Sequence, residues 1–246
     1  LEFRRVLFRS SGALIKGDTF AAVTANAAYG GSSQGAKNAS LTTYEISGTE
    51  AGGKNALGYG VTYTSGALTI NKANLTVTAN NDARFVGRND NTQYAGVSYA
   101  GFVNGETSAV LGGTLAITRT NSDMGAGVYT NVLSATGLTS GNYNIAYTPG
   151  NYTIVPANQL LIKTANKTVT YGTAPVYETT AQYLDSNSDE IISLTRTGAG
   201  NNYTFNDGFG TTVNATLKPY AGTSLAGSST SGNTVVGTYS IKDLNP

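Results

Sequence analysis

The chain has 246 residues and a formal net charge of +1, with only 12% of its residues charged and no cysteine, histidine or tryptophan. The absence of cysteine excludes disulfide frameworks, thiolate metal sites and thiol nucleophiles, and the absence of histidine removes the commonest general base. Catalytic chemistry is therefore not expected, and the surface is predicted to consist mainly of hydroxyl and amide groups.

The first ten residues, LEFRRVLFRS, break the pattern of the rest of the chain and resemble translated cloning or sequencing-adapter sequence. Three arginines and one glutamate give this segment a net charge of +2, so the remaining chain carries −1. We therefore expect no nucleic-acid partner. No apolar run approaches the length that spans a bilayer, so direct membrane insertion is not expected either.

In the rest of the chain, large side chains alternate with small or polar ones, most clearly over residues 59–63, 75–79 and 143–147. This period of two is typical of strands with one buried face, and it predicts an all-β fold. Aromatic residues at the alternating positions are predicted to pack in cores or across strands instead of stacking on sugars. The best-patterned ones are Tyr63, Tyr143, Tyr147 and Tyr152.

Glycine marks the predicted turns. Thr64-Ser65-Gly66 and Thr148-Pro149-Gly150 lie between alternating runs, and we predict tight turns there in which the glycine adopts a positive φ. Asn104-Gly105 predicts another turn of this kind.

Internal repetition is the strongest signal in the sequence. VTYTSGALTINKAN at 61–74 returns as IAYTPGNYTIVPAN at 145–158, so that position 61 corresponds to position 145. LTVTAN, which begins at Leu75, returns as LIKTAN from Leu161 at an offset of 86, which predicts a two-residue insertion, Gln159 and Leu160. LIKGDT at 14–19 matches FVNGET at 102–107. A unit of this size in several copies is typical of an array.

The offsets divide the chain into residues 1–10, which resemble adapter sequence, an incomplete repeat at 11–73, a complete repeat at 74–157, and a divergent, incomplete repeat at 158–246. Leu161 and Tyr239 lie farther apart in the sequence than Leu75 and Tyr129, which begin and end the matching stretch of the preceding repeat. The last repeat therefore contains an insertion, which we place within 196–234.

Each repeat is predicted to be a small β-sandwich-like domain, with a β-grasp-like fold as the alternative. INKANLTV at 70–77 joins two repeats without a flexible linker. We therefore expect an elongated, semi-rigid array that is itself a piece of a longer one. Neighbouring repeats are the expected partners of each copy.

Four segments, GFVNGETSAVLGGTL (101–115), GLTSGNYNIAYTPGNYTI (137–154), YGGSSQGAKNA (29–39) and LTVTANND (75–82), resemble the MBG and YDG-type repeats of large bacterial surface proteins. Such repeats occur in filamentous-haemagglutinin-like adhesins of two-partner secretion. The resemblance is close over about 12–158 and looser beyond. It implies an extracellular stalk at the bacterial cell surface, associated with the outer membrane, with no catalytic residues to carry over and no defined ligand.

One acidic segment is a candidate metal site. Asp185, Asn187, Asp189 and Glu190 alternate acidic and amide oxygens in a way that could hold calcium, the one cofactor considered for this chain. An EF-hand is excluded, because its sixth position needs glycine and its twelfth needs glutamate, where this chain has Glu190 and Arg196. The alternative is a solvated turn.

A second polar cluster contains Asn80, Asn81 and Asp82, with Asp90 downstream. Capping of turns by Asn and Asp side chains explains it, and metal binding is the weaker alternative.

Three functions follow from these observations, and an extracellular enzyme that acts on polysaccharides ranks last among them. The first is a structural spacer that displays the adhesive regions of a secreted adhesin and so supports cell attachment. The second is a module that binds host or matrix glycans or proteins weakly, with avidity supplied by repetition.

Overall fold

The computed structural model describes residues 19, 27–50, 64–208 and 210–244. By their contacts, the residues divide into two compact bodies, whose bounds differ from those of the repeats. One comprises Leu1–Leu75, Gly101–Gly112 and Leu138–Ile145, and the other comprises Thr76–Ala100, Gly113–Gly137 and Ala146–Pro246. Regular structure in the described residues is strand apart from one short 3-10 helix, so the predicted all-β class is confirmed.

The first of these bodies contains a small antiparallel sheet of three strands. Its order is β1-β2-β3, formed by Ala27–Gly30, Tyr44–Glu50 and Gly66–Leu68. In the same body the ring of Tyr143 packs edge-to-face on Phe102, with centroids 5.5 Å apart. The Tyr143 hydroxyl donates a hydrogen bond to the Glu106 carboxylate and accepts one from the Val103 amide.

The predicted complete repeat folds as two sheets. Its strands are β4 (Ala73–Ala79), β5 (Asp82–Phe85), β6 (Val97–Ala100), β7 (Gly112–Arg119), β8 (Gly127–Thr139), β9 (Tyr143–Thr148) and β10 (Gly150–Val155), with the 3-10 helix at Ser108–Val110. One sheet has the order β6-β4-β9 and the other β5-β10-β8-β7. We call residues 73–155 the complete unit.

The core of the complete unit contains side chains from both sheets. Ala79 of β4 and Tyr152 of β10 belong to one buried cluster with Ile117, Leu133 and Ile154. Tyr143 and Tyr152 are only 2% and 1% exposed, and Tyr147 packs against the cluster, so the predicted packing of these tyrosines is confirmed. Tyr63 lies outside the described residues. Burying each large side chain contributes about 1.5–3 kcal/mol.

The Pro149-Gly150 corner differs from the prediction. It passes the chain from one sheet to the other, since β9 and β10 belong to different sheets. Neither Gly66 nor Gly150 has a positive φ, so the predicted reason for these glycines is wrong. A Cβ at Gly150 would lie 2.4 Å from the carbonyl oxygen of Ala79, so close backbone approach requires glycine there. The Asn104-Gly105 turn is confirmed, with φ of 54° and 72°.

Gly150→Ala is therefore expected to destabilise the complete unit by about 1–3 kcal/mol, because the backbone must move to admit the methyl group. Gly141→Ala is the matched control, since a Cβ there meets nothing within 4 Å. Urea unfolding followed by tyrosine fluorescence measures both changes. Equal stability of the two variants would contradict the close-approach explanation.

Residues 160–243, which we call the third unit, also form two sheets. The strands are β11 (Leu160–Thr164), β12 (Thr179–Leu184), β13 (Ile191–Ser193), β14 (Thr195–Ala199), β15 (Asn202–Asn206), β16 (Thr212–Ala221), β17 (Ser224–Leu225) and β18 (Ser240–Asp243). The orders are β11-β12-β13 and β14-β15-β16-β17, with β18 also beside β16. Phe205, Tyr203 and Leu217 are buried in one core cluster with Tyr177, Ala181 and Ala215.

The antiparallel pair β11 and β12 repeats the pair β4 and β6, with β11 at an offset of 85 from β4 instead of 86, and β12 at an offset of 82 from β6. Just beyond the paired strands, the Asn80 amide donates to the Gly96 carbonyl at 3.0 Å, and the Ala165 amide donates to the Glu178 carbonyl at 2.9 Å. A shift of one residue reverses the face of every side chain in a strand. The LIKTAN match is therefore out of register, and one residue, not two, is inserted before β11.

The pair β16 and β18 occupies the place of β7 and β8. The hydroxyl of Tyr129 donates to the carbonyl four residues earlier, at Gly125, over 2.9 Å. Tyr239 makes the same bond to Val235 over 2.8 Å. This shared bond indicates that residues 237–243 correspond to residues 127–133. Strands β14 and β15 have no counterpart in the complete unit.

Candidate functional site

The candidate site is the joint between the complete unit and the third unit. Strand β10 ends at Val155 and β11 begins at Leu160, so four residues connect them. Asn158 fixes this connection with a φ of 61° and a 2.7 Å hydrogen bond from its amide to the Leu184 carbonyl. Its side chain exchanges two further bonds with Ser186, at 2.8 and 3.1 Å. The connection is therefore tied to the β12–β13 turn.

An apolar cluster fills the joint. Phe85, Val155 and Leu184 are buried together, and Ala157 and Leu161 pack against them. Phe85 reaches this place because β5 pairs in parallel with β10, which puts Phe85 and Val155 side by side. The Val86 amide extends this pairing with a 2.9 Å bond to the Val155 carbonyl. Because Leu184 comes from the third unit, the cluster joins the complete unit to the third unit.

Two ion pairs flank the apolar cluster. Asp82 Oδ1 lies 2.8 Å from Lys163 Nζ, and Asp189 Oδ1 lies 3.0 Å from the Arg88 guanidinium. Arg88 also donates to the backbone carbonyl of Asp189. Lys163 and Asp189 are well exposed, so each pair contributes at most about 1 kcal/mol. The buried side chains are thus the main source of cohesion, and the ion pairs set the orientation.

Behind the joint lies a charged cluster that we call the Asp90 network. The Asp90 carboxylate accepts hydrogen bonds from Arg84 Nε at 2.6 Å and from Arg119 Nε at 2.8 Å. The hydroxyls of Tyr152 and Tyr94 donate to it at 2.9 and 3.3 Å. Both arginine side chains are only 6% exposed, and the guanidinium of Arg119 lies over the Tyr152 ring. One carboxylate therefore holds two buried cations and two phenols.

The network lowers the pKa of its carboxyl group. Burial alone would raise the pKa of Asp90, but the hydrogen bonds from Arg84, Arg119 and Tyr152 outweigh it and bring the pKa below the ordinary value. Burial, together with the bond to Asp90, raises the pKa of Tyr152, which keeps its hydroxyl protonated and able to donate. At neutral pH the Asp90 carboxylate is therefore ionised, and the Tyr152 hydroxyl donates a hydrogen bond to it.

A lowered folded-state pKa means that the Asp90 carboxylate stabilises the fold above the ordinary value of 3.8, and that this contribution is lost as pH falls toward the folded-state value. Asp90→Asn is expected to lower the free energy of unfolding at pH 7 by about 3 kcal/mol, because two buried arginines lose their counter-charge. The loss should shrink at low pH, where the wild-type carboxylate is protonated too.

Urea unfolding at a series of pH values measures this difference. Asp123→Asn, a change to an exposed carboxylate nearby, is the control and should behave like the wild type. A pH-independent effect of Asp90→Asn would contradict the electrostatic role.

The structure places the predicted calcium loop in the turn between β12 and β13. Asp185 Oδ1 accepts the Asn187 amide and Oδ2 accepts the Ser188 hydroxyl, each at 2.9 Å. These bonds lower the pKa of Asp185. The Asp189 carboxylate faces Arg88, and Asn187 and Glu190 are exposed.

The four residues therefore share one turn, but two of their carboxylates are already engaged. Among the described residues, no three acidic side chains form a group that could hold a metal ion. Calcium binding by Asp185, Asn187, Asp189 and Glu190 stays a prediction.

The second polar cluster mostly bonds to groups that are distant in the sequence, so the predicted turn capping is wrong for Asn80 and Asn81. The Asn80 side chain donates to the Ala95 carbonyl at 2.8 Å, and Asn81 Oδ1 accepts the Asn151 amide at 2.7 Å. Asp82 accepts the amide of Ala83 and also pairs with Lys163. Asp90 has a different role, since it is the centre of the charged network.

Sequence reasoning missed the arginines of the joint and of the network. Arg119 and Asp90 are 29 residues apart, and Arg88 and Asp189 are 101 apart, so no local spacing connects them. One signal was present in the composition. In a chain with so few charged residues, three arginines between residues 84 and 119 are unusual and indicate specific pairing.

Comparison with known families supports the repeat. Residues 75–153 match the MBG domain (YGX type). The match begins in β4 and ends in β10, so it covers both sheets of the complete unit. No curated protein and no solved structure matches the chain. The described residues include no helix that is long and apolar enough to span a bilayer.

Proposed function

We propose that the chain is a spacer segment of a large secreted bacterial surface adhesin, which displays adhesive regions away from the cell and so supports attachment. The MBG domain is a repeat module of large surface proteins, and the match over residues 75–153 supports this setting. The low charge and high hydroxyl and amide content suit an extracellular location. A filamentous-haemagglutinin-like, two-partner-secretion context belongs to the same proposal.

The joint carries the proposal. A spacer holds its ends at a defined separation only if consecutive units keep a fixed orientation. A flexible linker would let the units reorient freely. Here four connecting residues, a buried apolar cluster and two ion pairs link the complete unit to the third unit. Asn158 adds a backbone tie from the connection to Leu184.

The use of the buried charges supports a non-catalytic role. Asp90, Arg84 and Arg119 are bonded to one another, so their polar atoms are occupied by structural contacts. We propose accordingly that the chain is not an enzyme, and that its nearest partners are neighbouring repeats.

Weak binding of host or matrix glycans remains the alternative function. Burial of Tyr143 and Tyr152 removes two of the best-patterned rings from the surface. Of the rings whose exposure the structure describes, Tyr29 and Tyr171 are more than half exposed and are the candidates for stacking on sugars. A glycan array with a multivalent preparation of the chain tests this alternative.

The rigid joint is tested by distance measurement between spin labels. Because the chain has no cysteine, Thr130→Cys on β8 and Thr195→Cys on β14 give two unique exposed labelling sites. We expect a narrow distribution of distances in the labelled full chain. Leu184→Ser should broaden it, because it removes a buried side chain from the apolar cluster.

Leu225→Ser is the matched control, since Leu225 is 51% exposed and lies on β17 outside the cluster. It should leave the distribution narrow. A broad distribution in the unsubstituted, labelled chain would contradict the spacer proposal.

A further inference from the structure

The single methionine of the chain lies against the Asp90 network. Met124 lies in the segment between β7 and β8, and its side chain is 56% exposed. Its sulfur, Sδ, lies 3.3 Å from Arg84 Nη2 and 3.8 Å from Arg119 Nη2. A solvent-exposed thioether therefore contacts both of the buried cations that share the Asp90 carboxylate.

The other donors of the two guanidinium groups have oxygen acceptors. Both Nε groups donate to Asp90, and both Nη1 groups donate to oxygen atoms of neighbouring residues. Each Nη2 group instead faces the thioether, and a thioether is a weak hydrogen-bond acceptor. Among the described residues, the sulfur is therefore the weakest acceptor that bonds to Arg84 and Arg119.

A change of the thioether to a sulfoxide would supply a stronger acceptor at this place. Oxidation turns an apolar, flexible side chain into a polar one, which disrupts a core when the methionine is buried. Met124 is more than half exposed, so its oxidation removes few apolar contacts. The unbranched side chain can also move outward to make room for the added oxygen. The gain in hydrogen bonding to the two arginines therefore outweighs the loss of packing.

We propose that Met124 is an oxidation site through which a peroxide stabilises the complete unit. A sulfur lone pair attacks one peroxide oxygen, so that a sulfur–oxygen bond forms and the oxygen–oxygen bond breaks. The thioether is oxidised to a sulfoxide, and hydrogen peroxide is reduced to water, which carries away both protons. The sulfoxide oxygen then accepts charge-assisted hydrogen bonds from Arg84 and Arg119. This inference goes beyond the spacer role and does not depend on it.

The site acts on the strand that leads to the joint. Arg84 lies on β5, directly before Phe85 of the apolar cluster. A stronger acceptor for Arg84 Nη2 holds β5 more firmly in the complete unit, and β5 carries the contact to the third unit. Reduction of the sulfoxide returns the weaker acceptor, so the effect is reversible.

The test treats the full chain with hydrogen peroxide. Because the chain has one methionine and no cysteine, histidine or tryptophan, Met124 is its one readily oxidised side chain. Mass spectrometry should show the uptake of one oxygen atom at Met124. Urea unfolding followed by tyrosine fluorescence should give an equilibrium constant for unfolding about threefold smaller than before treatment. Sulfoxide reductases for both epimers should restore the original mass and constant.

Two variants separate the new acceptor from other effects of peroxide. Met124→Leu has no sulfur, so peroxide should change neither its mass nor its unfolding constant. Met124→Gln places an amide oxygen at a similar reach and, without peroxide, should unfold with a smaller constant than Met124→Leu. In the oxidised chain, proton exchange at the Arg84 and Arg119 guanidinium groups, followed by NMR, should slow about threefold.

Complete oxidation that leaves the unfolding constant unchanged, or raises it, would overturn the proposal. An equal peroxide effect in Met124→Leu would also overturn it, since the responding group would then lie elsewhere. Resistance of Met124 to a peroxide concentration that oxidises free methionine would do the same.

Discussion

The structure of the joint depends on the two faces of a single short strand. In β5, neighbouring side chains point to opposite sides, so Phe85 enters the apolar cluster while Arg84 enters the Asp90 network. The network fixes β5 inside the complete unit, and the cluster fixes the third unit to β5. Internal stability and attachment to the neighbour are thereby coupled through one strand. A change in one is expected to be felt in the other, as is usual for groups in direct contact.

This coupling also explains why so few charges suffice. Surface ion pairs are weak, and each of the two at the joint has one well-exposed partner. The paired charges inside are different, because Arg84 and Arg119 are almost fully buried and share one carboxylate. Removing that carboxylate leaves two desolvated cations, which is far more unfavourable than losing a surface pair. The chain therefore uses its scarce charged residues where burial makes pairing obligatory.

Much of the fold could be predicted from the sequence, because alternation is a local property. It placed Tyr143 and Tyr152 in buried positions and indicated an all-β chain. The predictions that were wrong concerned positions whose role is set by backbone distant in the sequence. Gly150 is required by the carbonyl of Ala79, which is remote from it in the sequence, and the register of β11 is set by its pairing with β12. Sequence matching could not reveal either feature. LIKTAN matches LTVTAN well in sequence, but this alignment puts the side chains of β11 on the wrong face of the strand. The arginine contacts escaped notice for the same reason.

The parallel pairing of β5 with β10 affects how a unit folds. Asp82 near the start of the unit pairs with Tyr152 near its end, and β10 is the last strand of the unit in chain order. Contacts of such long range are slow to form, because the intervening loop must close first. A unit of this kind cannot complete its sheet until its final strand has emerged from the ribosome. Each finished unit then offers Phe85 and Val155 as a template for the next, so assembly is expected to advance in one direction along the polypeptide.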